Sequence, residues 1–199
     1  MLFRLLALIV LLLFYGIYFT KMLIQKKQGI QTRQIGKRKE KELHRVELWM
    51  SAATLLAPAA QLLSIALDWS WLPDAARWVG FGAGLLGDLI FGIAVVTMKN
   101  SWRAGIPDGD KTELIQDGIY RWSRNPAFLG FDLMYLGVCL LFCNPATILT
   151  SLFAAVMLHL QILQEEKFLV SAFGAPYEAY KSRVRRYFGT SIRGRFQCH

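Results

Sequence analysis

The chain has 199 residues, 54 % of them hydrophobic, and a formal net charge of +9. The length sets a prior of one domain, and the apolar content exceeds the roughly 45–50 % of an ordinary soluble protein. The apolar residues lie in long blocks with the basic residues between them, a pattern that excludes a soluble globule, and no motif supports nucleic-acid binding.

An apolar run of about 18 or more residues is a candidate membrane helix. The first such block is Leu5–Thr20. It is followed by Lys21-Met22 and not by a small-residue cleavage site, so it is expected to be a retained helix and not a signal peptide. A basic segment comes next. From Lys21 to Arg45 it carries Lys21, Lys26, Lys27, Arg33, Lys37, Arg38, Lys39, Lys41 and Arg45, opposed by Glu40 and Glu42.

The second block is Val46–Leu67, in which Pro58 predicts a kink. The link Asp68–Asp74 (DWSWLPD) has two acids, no bases and two tryptophans. The third block is Ala75–Met98. Inside it Gly82-Ala83-Gly84-Leu85-Leu86-Gly87 matches a dinucleotide-binding pattern, but no strand precedes it. Gly80, Gly84 and Gly87 are expected instead to let helices approach closely. The last block, Ala127–Leu163, is long enough to span twice and is broken by Asn144-Pro145, which predicts a helical hairpin.

The expected fold is therefore all-α and polytopic, with about five transmembrane helices. Residues 1–98 form a three-helix membrane region with the basic loop 21–45. Residues 99–199 form a core of connector, hairpin and tail. The tail is basic again, with Lys181, Arg183, Arg185, Arg186, Arg193 and Arg195. The positive-inside rule places both basic segments, and the connector Lys99–Asn125, in the cytosol beside anionic lipid, with the N-terminus outside. The expected site is a multi-pass position in a bacterial inner membrane or, in a eukaryote, the endoplasmic reticulum.

Acids within membrane helices are costly and usually face a cavity or a partner, which singles out Asp88 and Asp132. No pair among His44, His159, His199, Cys139, Cys143 and Cys198 has ligand spacing, and no metal site is predicted.

The chemistry concentrates in two stretches. One is Thr112-Glu113-Leu114-Ile115, then Gly118-Ile119-Tyr120, then Arg124-Asn125-Pro126-Ala127-Phe128-Leu129-Gly130. The other is Glu165-Glu166, Phe173-Gly174, Tyr177, Tyr180 and Val184. A hairpin must bring its two cytosolic ends together, so Arg124, Asn125 and Pro126 are expected beside Glu165 and Glu166. Tyr120, Phe128 and Tyr177 or Tyr180 would form aromatic walls.

These stretches resemble the signature of the isoprenylcysteine carboxyl methyltransferase family and its phospholipid methyltransferase relatives. That signature reads Leu-Val-x-x-Gly-x-Tyr, Arg-His-Pro-x-Tyr-x-Gly, and later Glu-Glu, Phe-Gly, Tyr, Tyr, Val. The resemblance covers roughly residues 99–199 and implies S-adenosylmethionine as cofactor at the cytosolic face. It implies cofactor contacts from Thr112, Glu113, Leu114, Ile115, Tyr120, Arg124, Asn125, Pro126, Ala127, Phe128 and Glu165. Two positions depart from the family. Asn125 replaces its histidine, keeping one donor and one acceptor but no basic group. Gln161 replaces the arginine implicated in reading the substrate carboxylate.

A sulfonium is an activated methyl donor, so the protein must mainly align donor and acceptor at about 3–3.5 Å and exclude water. A carboxylate acceptor needs no base. An amine or thiol must lose a proton, and Glu166 or Asp132 would take it. Gln161 favours a lipid or small hydrophobic acceptor with an amine, thiol or neutral head, contacted by Gln161 and Arg103. Arg103, Arg121 or Arg124 would supply a cation from another direction if the acceptor is anionic. The alternatives are an NADPH-dependent sterol-type membrane reductase and a non-enzymatic membrane protein. Such reductases share the Gly-x-Tyr and Arg-His-Pro core but usually carry Arg-Asp-Glu where this chain has Leu163-Gln164-Glu165.

Overall fold

The computed structural model describes residues 1–30, 41–102 and 113–190, with side chains in the second segment from residue 45 onward. Among the described residues six α-helices follow in order: α1 (Leu2–Lys27), α2 (Lys41–Leu67), α3 (Asp74–Met98), α4 (Pro126–Leu141), α5 (Pro145–Phe173) and α6 (Ala175–Arg183). Among the described residues, the β-pairing is a single antiparallel bridge between Val184 and Thr190. Four helices, α1, α2, α3 and α5, are long and apolar enough to cross a membrane, and α4 is a shorter apolar helix. Large side chains such as Leu12, Leu55, Val96 and Leu149 point outward, as they do when the surrounding solvent is lipid. α2 runs on through Pro58.

The centre of the bundle is the contact between α3 and α4. A Cβ on Gly87 would sit 2.7 Å from the Gly130 carbonyl, and one on Gly80 would sit 2.7 Å from the Gly137 carbonyl. A Cβ on Gly137 would collide with the backbone of Gly84. In lipid, helix association rests on close van der Waals packing, and small residues permit it. The glycine pattern of α3 is thus a packing seam. α1 covers it: Val10 fills the space beside Gly84, and the Phe14 ring stacks on Phe91 at 4.4 Å with Phe131 edge-on at 4.6 Å. α2 packs along α5, with the Trp49 and Phe153 rings edge to face at 6.3 Å.

Asn144 fixes the turn between α4 and α5. Its Oδ1 accepts from the amides of Ala146 and Thr147, and Thr147 Oγ1 accepts from the Asn144 amide, completing a capping box. Its Nδ2 donates to Ser64 Oγ at 2.9 Å and to the Trp69 carbonyl at 3.1 Å. One side chain therefore starts α5 and ties down the α2–α3 link. At the other end α5 extends to Phe173, and Gly174 then turns the chain into α6 with φ of +55°, a region that favours glycine.

Candidate active site

The expected meeting of the hairpin ends is present. Arg124 Nη2 lies 3.1 Å from Glu166 Oε1, and Asn125 Nδ2 lies 3.4 Å from the same oxygen. Proline at the first position of α4 suits the helix start, so Arg124 and Asn125 sit where the chain turns into α4. The 3₁₀ turn Gly118–Arg121 precedes them. Gly118 adopts φ of +59°, with Thr97 where a Cβ would be.

A cleft of about 850 Å³, counted with its open mouth, lies between this segment, the α3 end, α5 and α6. Nine of the residues expected to contact the cofactor line it: Glu113, Leu114, Ile115, Tyr120, Arg124, Asn125, Ala127, Phe128 and Glu165. Pro126 is buried beside them and does not line it. Thr112 and Arg103 lie outside the described residues. The remaining wall comes from Trp102, Phe168, Leu169, Phe173, Tyr177 and Tyr180, among others. Phe173, Tyr177 and Tyr180 belong to the second stretch singled out from sequence, whereas positions 168 and 169 follow Glu165 at helical spacing, a signal that the sequence carried and that had not been used. Arg186, another residue that sequence reasoning missed, pairs with Glu166 at 2.8 Å.

The rim is held by α6. Tyr177, Tyr180 and Val184 form a small apolar cluster with Leu114, Leu169, Val170 and Phe173. The Tyr180 hydroxyl donates to the Tyr120 carbonyl at 2.7 Å, and Arg183 Nη2 donates to Gln116 Oε1 at 3.0 Å. Burial pushes the Tyr177 hydroxyl up to about 12, with the Glu166 charge adding to it, and burial raises Tyr180 further. Both phenols keep their protons at neutral pH.

The other candidates stand apart from the cleft lining. Glu166 is engaged by Arg124, Asn125 and Arg186. Gln161 is buried on α5, where its Nε2 donates to Glu165 Oε1 at 3.2 Å and its Oε1 has no hydrogen-bond partner. Asp132 is half-buried on α4, and Asp88 is buried on α3. Arg121 is exposed and pairs with Asp117 at 3.1 Å.

Two features of the cleft suit a zwitterionic nucleoside. The Arg124 side chain is 7 % exposed, and its Nε and Nη1 have no partner among the described residues. Buried donors of this kind call for an acceptor. Glu165 supplies acceptor oxygens across the cleft, and Tyr120, Phe128 and Phe168 supply flat apolar walls.

A membrane helix bundle with a charged, aromatic cleft at one end of its spans defines an integral membrane enzyme. The sequence model of the isoprenylcysteine carboxyl methyltransferase family matches residues 79–171. A "Probable protein-S-isoprenylcysteine O-methyltransferase" of Oryza sativa subsp. indica is 33 % identical over 140 residues, 69 % of this chain and 72 % of its own length. The "Protein-S-isoprenylcysteine O-methyltransferase" of Saccharomyces cerevisiae is 32 % identical over 103 residues, 50 % of this chain and 43 % of its own. That of Xenopus laevis is 25 % identical over 137 residues, 65 % of this chain and 48 % of its own. The chain belongs to the isoprenylcysteine carboxyl methyltransferase family, and it is an S-adenosylmethionine-dependent membrane methyltransferase.

Proposed function

We propose that this enzyme methylates a lipophilic, membrane-partitioned acceptor at the cytosolic face, and that the acceptor presents a carboxylate as in a prenylated cysteine. The observation that carries this reading is Arg124, a residue of the cleft lining whose buried guanidinium keeps two donors, Nε and Nη1, without partners among the described residues. The relatives' names point to the same acceptor class. In the proposed arrangement, Glu113, Leu114, Ile115, Tyr120, Asn125, Ala127, Phe128 and Glu165 hold the cofactor, with Thr112 and Pro126 completing that segment.

When bound, S-adenosylmethionine supplies an activated methyl group, so this chain need not provide a nucleophile. Its aromatic walls exclude water, which strengthens every charge interaction inside the cleft. Arg124 orients the anionic group. A carboxylate acceptor arrives already deprotonated, which leaves Glu166 committed to its arginines with no proton to take.

Gln161 favours a second reading. An amide holds a carboxylate far less strongly than a guanidinium does, so its presence on α5 points toward an amine, thiol or neutral head. There Asp132 or Glu166 would accept the proton, with Gln161 and Arg103 on the acceptor side. The experiment offers purified protein and labelled cofactor both a prenylcysteine analogue and a membrane lipid extract. Base-labile methylation of the prenylcysteine is expected. An inert prenylcysteine with a methylated lipid amine overturns the carboxylate reading.

The cofactor placement has its own test. Asn125→Ala and Glu165→Ala should each weaken S-adenosylmethionine binding by about 1–3 kcal/mol. Unchanged affinity in both folded variants removes these residues from the cofactor site. Reporter fusions at Trp71 and at the C-terminus test the orientation and should report opposite sides of the membrane. Fusions that report the same side refute it.

A further inference from the structure

Glu166 is gripped from two directions. Arg186 donates through Nε to Oε1 at 3.1 Å and through Nη2 to Oε2 at 2.8 Å. Arg124 reaches Oε1 from the other side through Nη2 alone, at 3.1 Å. Arg186 comes from the chain beyond α6, and that chain is stitched onto the segment that lines the cleft. The Arg124 amide donates to the Arg185 carbonyl at 3.1 Å, and the Gly189 amide donates to the Trp122 carbonyl at 2.7 Å. Ser123 Oγ and Asn125 Nδ2 both donate to the Arg186 carbonyl, at 3.4 and 3.2 Å.

The grip has an electrostatic consequence. An isolated arginine and carboxylate close into a two-pronged pair. Here Arg186 takes Oε2 and shares Oε1 with Asn125, so Glu166 holds Arg124 by a single prong. Two cations then face one anion, and the surplus positive charge sits on Arg124, a residue of the cleft lining. Its Nε and Nη1 remain without partners although the side chain is 7 % exposed.

We infer that Arg186 is a positioning residue for methyl transfer: by holding Glu166 it keeps Arg124 available to a carboxylate in the cleft. The inference rests on the placement of cofactor and acceptor in that cleft proposed above. Both the amino-acid end of the cofactor and the acceptor carry such a carboxylate, and the assay separates them.

The full chain in detergent micelles is titrated with S-adenosylmethionine and with its decarboxylated analogue. The acceptor KM is measured in parallel with the prenylcysteine analogue. The proteins are wild type, Arg186→Ala, Arg186→Lys, Glu166→Gln and the double variant Arg186→Ala/Glu166→Gln. In Arg186→Ala, Glu166 closes on Arg124. Affinity for the carboxylate-bearing ligand should fall about tenfold to a hundredfold, with little change for the decarboxylated analogue. A loss seen in S-adenosylmethionine binding assigns the carboxylate to the cofactor; a rise confined to the acceptor KM assigns it to the acceptor. Adding Glu166→Gln frees Arg124 again, so the double variant should bind more tightly than Arg186→Ala. Arg186→Lys keeps the charge with a single prong and should fall between wild type and alanine.

A tail contact of purely structural value would weaken both cofactor forms alike and make the double variant the worst. Either result overturns the inference, as does wild-type affinity and KM in Arg186→Ala. If Arg186→Ala does not fold, the lysine variant with and without Glu166→Gln carries the same comparison. A wild type that binds no S-adenosylmethionine removes the cofactor placement itself, a failure distinct from a wild type that binds and variants that bind equally.

Discussion

The hydroxyl of Tyr180 donates to the main-chain carbonyl of Tyr120 at 2.7 Å, joining α6 to the 3₁₀ turn on the cleft wall. Both residues are buried, so this carbonyl has no ready access to water. Removing the donor leaves a buried acceptor unpaired. Tyr180→Phe should therefore cost about 1–3 kcal/mol of stability. Thermal unfolding in detergent measures it, and an unchanged midpoint would show that the bond is not made in solution.

Tyr177 gives a pH signature. Its hydroxyl is pushed up to about 12 by burial and, secondarily, by the Glu166 charge. The unfolded chain releases this proton near 10, so the folded state holds it more tightly. The resulting stabilisation is complete below pH 10 and is lost as pH rises from 10 to about 12, by roughly 2–3 kcal/mol. The hydroxyl has no hydrogen-bond partner among the described residues. Tyr177→Phe should therefore cost little at neutral pH and flatten the alkaline limb of the stability curve. An alkaline limb identical to that of wild type would count against the buried phenol.

The glycine seam makes a sharp comparison. A Cβ at position 137 meets the Gly84 backbone, which cannot turn aside as a side chain can, whereas a Cβ at position 82 meets nothing within 4 Å. Gly137→Ala should destabilise by about 1–3 kcal/mol or more, as overpacking does. Gly82→Ala should be neutral or slightly stabilising, because alanine is the better helix former. Equal melting temperatures for the two variants would refute the seam.

Asn144 should separate its two duties. Asn144→Asp keeps the oxygen that caps α5 and loses the amide donors to Ser64 and the Trp69 carbonyl. Asn144→Ala loses both functions, with about 1 kcal/mol attached to the cap alone. The expected order of stability in a melting series is wild type, aspartate, alanine. An aspartate variant as weak as alanine would mean that a carboxylate facing the Trp69 and Phe142 carbonyls costs as much as the cap contributes.

The bundle was legible because lipid demands long apolar runs and tolerates few polar interruptions. Asn144-Pro145 marked the hairpin, and the hairpin forced Arg124 toward Glu166. The helix ends were less legible. α1 runs to Lys27, and α5 runs through Glu165 and Glu166 to Phe173. A helix does not stop where the hydrocarbon does, and polar residues continue it at no great cost. Arg186 was hidden for a different reason. It stands in a basic tail that topology explains by itself. Its contact with Glu166 depends on a chain reversal at the Val184–Thr190 bridge, where Gly189 adopts φ of +107°. No periodic pattern announces a reversal of that kind. Trp102 was likewise read only as part of a connector, yet it lines the cleft and accepts a hydrogen bond from Gln25 of α1 at 3.0 Å.

The small apolar cluster of Tyr177, Tyr180 and Val184 shares no member with the large cluster that joins α1, α2, α3, α4 and α5. Regions with separate cores open separately, each at the free energy of its own contacts. The cleft rim should therefore undock as a unit of its own while the spans stay assembled. Amide exchange should divide into two classes, a slow one in the spans and a faster one in α6. A ligand bound in the cleft touches both units at once, so it would slow exchange in α6 far more than in α3.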